Sequence, residues 1–149
     1  MNLSTVLNEK TVAIGLRSTE KIDVINELLD LLVESGSIQD KGAALLAVME
    51  RENKMSTGMK NGIAIPHGKS PSIKSLVACV GISDSPIQFD SLDGEPCRIF
   101  IMTLSPPEST GPHLRFLAEV SQLFKSSEKR ASALKASSPA ELLSIITSR

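Results

Sequence analysis

Two histidines occur in this chain of 149 residues, and each stands among residue types that suit an anion. His67 lies in the stretch from Met55 to Ser70, MSTGMKNGIAIPHGKS, between Pro66 and Gly68. A neutral imidazole is a nucleophile near physiological pH, because its pKa is close to the working range. For that use one ring nitrogen must meet an acceptor, so that the other carries the lone pair. A phosphoryl group on it needs donors and cations nearby. Ser56-Thr57-Gly58 is a small hydroxyl-bearing turn with a flexible backbone. His113 follows Thr110-Gly111-Pro112 in the first turn of a predicted helix, where backbone N–H groups favour anions. Arg51 stands at the polar end of another predicted helix, and a guanidinium suits bidentate phosphate contact.

Each of these residues also has a plainer reading. His67 fits an ordinary turn histidine. His113 fits a cap-region side chain packed over Leu117, and Arg51 a solvated charge set against a helix C-terminal dipole. Spacing alone leaves both readings open. A metal hydrolase built on His67 and His113 is disfavoured, because no carboxylate or thiolate set completes a metal-ligand spacing. The expectation is therefore of no metal and no cofactor.

The elements that must position these residues are well punctuated. Thr11–Leu16 (TVAIGL) is β-branched and short, a strand. Ser18 or Thr19 is placed to cap a helix with Ile22, Ile25, Leu28, Leu29, Leu32 and Val33 at helical spacing, stopped by Gly36. Asp40 caps a second helix with Ala44, Leu45, Val48 and Met49 on its apolar side, running into Glu50-Arg51-Glu52-Asn53-Lys54. Asn61-Gly62 is a turn signal before a short strand, Ile63-Ala64-Ile65. Pro66 must end that strand or lie at a sheet edge, and Gly68 removes a side chain where a large partner could approach the imidazole. Leu76–Ser83 and Arg98–Leu104 are nearly continuous in apolar residues, as strands covered on both faces are. A helix follows from about Thr110 through Leu117, Val120 and Phe124, then a short one over Ser127–Ala136. Ser138-Pro139-Ala140-Glu141 is a capping box opening the last. These elements predict a three-layer α/β/α fold in one domain, 1–149, with a mixed sheet covered by helices on both faces.

Composition excludes several functions. Sixteen basic and seventeen acidic residues leave no basic footprint for nucleic acid, and Trp and Tyr are absent as stacking platforms. No apolar run approaches the ~18 residues of a membrane span, and Met1–Lys10 lacks the pattern of a signal peptide. A soluble, cytoplasmic protein is expected. Cys79 and Cys97 sit in strand-like apolar runs without CxxC spacing and read as buried, reduced thiols.

Asn61-Gly62-Ile63-Ala64-Ile65-Pro66-His67-Gly68 resembles the phosphorylation-site motif of enzyme IIA domains of the fructose/mannitol/nitrogen-regulatory class of the bacterial phosphotransferase system. The resemblance extends to Met49-Glu50-Arg51, Ser56-Thr57-Gly58, the Leu92-Asp93-Gly94-Glu95-Pro96 turn and Pro112-His113-Leu114 with its helix, and so covers essentially the whole chain. It implies that His67 is a phosphorylated relay. The donor would be the small carrier HPr or its nitrogen-branch paralogue, and the acceptor an enzyme IIB or a regulatory target. It also implies that His113, Arg51, Ser56 and Thr57 position or neutralise the phosphoryl oxygens. Asn61 matches a polar, sometimes acidic, family position. Met59-Lys60 departs from the more usual Ile-Gly, and Cys97 replaces a frequent valine. The absence of a fused IIB or IIC segment leans toward a nitrogen-type regulator over a sugar-specific IIA. A third possibility is a non-phosphorylated binding module on the same fold.

Overall fold

Two long apolar strands organise the chain. In a computed structural model describing residues 3–148, β4 (Val77–Ile87) and β5 (Cys97–Ser105) pair antiparallel at the centre of a five-stranded sheet. The first strand, β1 (Val12–Leu16), runs parallel to β4 on one side. On the other, β2 (Ile63–Ala64) and β3 (His67–Lys69) both run parallel to β5. The sheet is mixed, as expected.

Because side chains alternate along a strand, β4 and β5 feed two cores. Cys79, Phe100, Met102 and Leu104 pack with Leu28, Leu29 and Leu32 of α2 (Lys21–Glu34) and Ala44 and Val48 of α3 (Lys41–Lys54). Ala78, Val80, Ile82, Ile99 and Ile101 meet the opposite helical layer. That layer holds α1 (Leu3–Val6), α4 (Thr110–Leu123), α5 (Ser127–Lys135) and α6 (Pro139–Thr147), which contribute Leu3, Phe116, Val120, Ala133, Leu142 and Ile146. The three-layer arrangement follows from this double coverage. Cys79 and Cys97 are both buried and free. Among the described residues, no helix is long and apolar enough to cross a membrane. Met1 and Asn2 of the Met1–Lys10 segment, and Arg149 at the end of the single domain expected over 1–149, lie outside the described residues.

Several boundaries differ from expectation for local reasons. Glu20, not Ser18 or Thr19, is the N-cap of α2, and it makes no side-chain cap bond. Ser18 instead donates from Oγ to Glu27 Oε1 at 2.6 Å, and its backbone N–H donates to the same carboxylate oxygen. Asp40 does cap α3, accepting from Ala43 N at 3.0 Å. Ser138 caps α6, while the Glu141 carboxylate accepts from Ser137 Oγ. The second-to-last strand, β4, runs past Ser83 to Ile87, because Ile87 re-pairs with Cys97 beyond a register irregularity. Pro66 interrupts the edge strand without ending the ladder: Thr103 N donates to Pro66 O at 3.2 Å, and β3 resumes at His67.

Gly68 serves a purpose other than access for a partner. A Cβ there would sit 2.8–2.9 Å from Ala47 C, Ala47 O and Val48 N. The missing side chain therefore lets the β3 backbone press against the α3 backbone. Ala47 and Arg51 are four residues apart on α3 and share a face, so this contact also carries Arg51 toward the His67 strand. Gly68→Ala should destabilise the chain by about 1–3 kcal/mol, because backbone rather than a flexible side-chain tip must move. Urea unfolding measures this, and an unchanged midpoint would show that the layers separate freely.

Candidate functional site

His67 opens β3 and is half-buried. Its Nδ1 lies 2.7 Å from Ile65 O. A carbonyl oxygen only accepts, so Nδ1 holds the hydrogen and Nε2 the lone pair. The proline between the two residues fixes the backbone at this tight return. Burial, the largest influence, lowers the His67 pKa from its ordinary value; the Ile65 carbonyl raises it, the Arg51 charge lowers it and the Glu52 charge raises it.

His113 lies in the first turn of α4 and is 5% exposed. Its ring centroid is 5.2 Å from that of His67, with the planes tilted by 57°. Its backbone N–H is spent on Ser109 O within the helix, so the side chain is what it offers the site. The ring Nδ1 is 3.2 Å from Ser105 Oγ. Burial, then the charges of His67 and Lys69, push its pKa down to about 4. Both imidazoles are thus held neutral near pH 7.

Arg51 is anchored by Nη1 donating to Met55 O at 2.8 Å. It lines, with His67 and His113, a cavity of about 360 Å³ whose rim includes Lys54 and Lys69. Lys69 reaches across to α4, its Nζ donating to Thr110 Oγ1. Lys54 and Lys69 thus extend the basic lining beyond the expected Arg51. Their signal was present: Lys54 lies three residues beyond Arg51 on a helix, and Lys69 alternates with His67 along a strand.

The other anticipated residues lie elsewhere around the ring. Ser56 and Thr57 share a second cavity, of about 330 Å³, with Arg51 and His67. Their hydroxyls are engaged by the fold: Ser56 Oγ donates to Phe89 O at 2.6 Å, and Thr57 Oγ1 donates to Glu52 Oε1. Asn61 lines neither cavity. It adopts the left-handed region at φ 65°, followed by Gly62 at 79°, and its N–H donates to Asp93 Oδ2. With Ile63, Ile65 and Leu92 it lines a third, mostly apolar cavity of about 300 Å³.

Residues 5–149 match the family model described as phosphoenolpyruvate-dependent sugar phosphotransferase system, EIIA 2. The chain belongs to this family. A fructose-specific EIIABC component of Bacillus subtilis (strain 168) is 32% identical over 98% of this EIIA chain, which spans only 23% of that longer protein. The nitrogen regulatory protein of Escherichia coli (strain K12) is 30% identical, covering 99% of this chain and 90% of that one. The crystal structure of the nitrogen regulatory protein IIA-Ntr from Neisseria meningitidis superposes with a TM-score of 0.90 at 28% identity, covering 97% of this chain and 99% of its own. Mannitol IIA from Escherichia coli, solved with phosphorylated enzyme IIB, shares the fold with a TM-score of 0.81 at 16% identity, over 96% and 98% of the two chains.

One residue of this EIIA chain departs from the polar character expected for the end of α3. Glu52 is buried, its side chain 2% exposed, and pairs with Lys21 Nζ of α2 at 2.9 Å. It accepts from Thr57 N at 2.8 Å and from Thr57 Oγ1. Thr57 O in turn accepts from Ile65 N, and Ile65 O holds the His67 ring. The buried carboxylate therefore anchors, through two backbone segments, the carbonyl that orients the imidazole. A hint was available: Glu52 lies four residues after Val48 and so on the apolar side of the helix.

Glu52→Ala should cost about 2–3 kcal/mol, since it takes the acceptor from the buried Thr57 donors and the nearest anion from Lys21, whereas Glu52→Gln should cost less; urea midpoints distinguish them. The histidines add a pH dependence. Below the ordinary value of 6.5 the unfolded chain binds a proton that folded His113 refuses until about pH 4, so stability falls with pH across that window. His113→Gln should shrink the decline between pH 7 and pH 5, read from urea midpoints; an equal decline would assign it to other groups.

Proposed function

We propose that His67 accepts a phosphoryl group at Nε2 and passes it on, making this EIIA protein a cytoplasmic phosphohistidine relay. The observation that carries this is the Nδ1–H donation to Ile65 O, which leaves Nε2 with the lone pair. In the forward step that lone pair forms the new N–P bond. The N–P bond of the donor phosphohistidine breaks, and its electron pair stays with the donor imidazole. Positive charge gathers on the His67 ring, and the Ile65 carbonyl supports it through the Nδ1–H bond. No proton has to move, and no metal or cofactor enters.

In this reading Arg51 and His113 take the phosphoryl oxygens, with Lys54 and Lys69 at the rim; Ser56 and Thr57 shape the opposite side, and Asn61 sets the turn before the strand. The donor is an HPr-type carrier. Exposed Met55, Met59 and Leu92 surround the opening as an adaptable apolar rim that suits protein docking. Met59 puts a thioether on that rim, while Lys60 lines the neighbouring apolar cavity.

The downstream role is that of a nitrogen-type regulator, supported by likeness to nitrogen regulatory proteins over nearly the whole length of both chains. A sugar-specific IIA feeding a separate enzyme IIB is the second reading, and the 32% identity to a fructose-specific component favours it.

Incubation with enzyme I, HPr and phosphoenolpyruvate, followed by intact mass, should add one phosphoryl group to the wild type and none to His67→Ala. Absence of the gain with cognate HPr would sink the relay. Arg51→Ala should slow transfer by about 10²-fold, as loss of one charge-stabilising donor does, with little change in melting temperature. A large drop in melting temperature would assign Arg51 to the fold instead.

A further inference from the structure

Ser105 ends β5, and the register that pairs His67 with Thr103 pairs Lys69 with Ser105. Its side chain is fully buried, and its Oγ meets His113 Nδ1 at 3.2 Å. The two histidines are thereby held by opposite kinds of partner. The Ile65 carbonyl can only accept, so it pins hydrogen on Nδ1 of His67 and leaves Nε2 bare. A hydroxyl can donate or accept, so Ser105 allows His113 to carry its single hydrogen on Nε2.

That freedom matters because the rings are 5.2 Å apart between centroids and line one cavity. A phosphoryl group on His67 Nε2 would repel a bare His113 Nε2 and attract an Nε2–H. With a carbonyl in place of the serine hydroxyl, His113 would be locked with its lone pair toward the cavity. We propose that Ser105 is a positioning residue for phosphoryl transfer: its hydroxyl donates to His113 Nδ1, so that Nε2–H faces the phosphoryl oxygens on His67. This rests on the reading of His67 as the phosphoryl acceptor. Ser105 itself touches no reacting atom. Its hydrogen stays on Oγ throughout, and no covalent bond changes at His113.

The test uses the full chain labelled with ¹⁵N-histidine and phosphorylated by phosphoramidate, whose N–P bond supplies the phosphoryl group and releases ammonia. Long-range ¹H–¹⁵N spectra should show His113 with a bare Nδ1 and a protonated Nε2. Ser105→Ala should give a tautomer mixture and slow transfer from phospho-HPr about tenfold, the scale of one lost hydrogen bond. Ser105→Thr should restore both. A phosphorylated wild type with hydrogen on His113 Nδ1 overturns the inference, and so does wild-type transfer by Ser105→Ala. The wild-type spectrum decides the question even if Ser105→Ala fails to fold. A wild type whose intact mass shows no phosphoryl gain overturns the His67 reading itself, an outcome distinct from a phosphorylated chain with the wrong tautomer.

Discussion

The site depends on the absence of one side chain. At Gly68 the edge strand lies directly on the backbone of α3, with atoms of Ala47 and Val48 where any Cβ would stand. A sheet and a helix normally keep a layer of side chains between them; here the layer is missing for one residue. The strand that begins with His67 and the helix that carries Arg51 therefore meet at backbone distance. The helix α4 then closes the third side, bringing the His113 ring to 5.2 Å from His67. Three residues from distant parts of the chain line one cavity because a glycine occupies the crossing point.

Within that cavity, electrostatics are arranged by burial more than by ion pairing. Both imidazoles are pushed toward the neutral form, chiefly because water is excluded from them. Neutrality keeps the His67 lone pair available, while the surrounding cations supply charge that the rings do not. The buried Glu52 belongs to a separate network facing α2. Lys21 satisfies its charge and the Thr57 donors satisfy its oxygens, so it acts as a rigid anchor for the loop behind His67. A buried carboxylate is tolerated where its bonds are complete, and these are. The anchoring chain from Glu52 through Thr57 and Ile65 ends on the imidazole, which is why a residue outside both cavities bears on ring orientation.

Membership of the EIIA family and the IIA-type fold fit this arrangement, and the two histidines have different hydrogen-bond partners in it. A carbonyl partner determines the tautomer of His67, while a hydroxyl partner leaves that of His113 adjustable. The apolar rim of Met55, Met59 and Leu92 is chemically separate from the basic cavity. Apolar and basic side chains thus occupy different parts of the surroundings of one ring.

Much of this was legible in the residues. Apolar periodicity marked α2, α3, α4 and α6. The continuous runs of β4 and β5 signalled coverage on both faces, and Pro66 placed its strand at an edge. The motif around His67 carried the family resemblance, because its residues are neighbours in the chain. Legibility failed wherever the deciding partner was far away in sequence. Gly68 read as an opening for a visitor, since nothing local reveals that α3 already fills that space. Glu52 is one of a run of polar residues at a helix end, and its Lys21 partner lies on another helix. Ser56 and Thr57 read as available hydroxyls, and only the fold shows Phe89 O and Glu52 occupying them. The sequence by itself determined the element types and the chemistry of the reactive groups, which are local properties of side chains and their spacing. Tertiary structure alone decided which groups meet, which are already bonded and which nitrogen is bare. Those outcomes depend on distances that chain order does not contain.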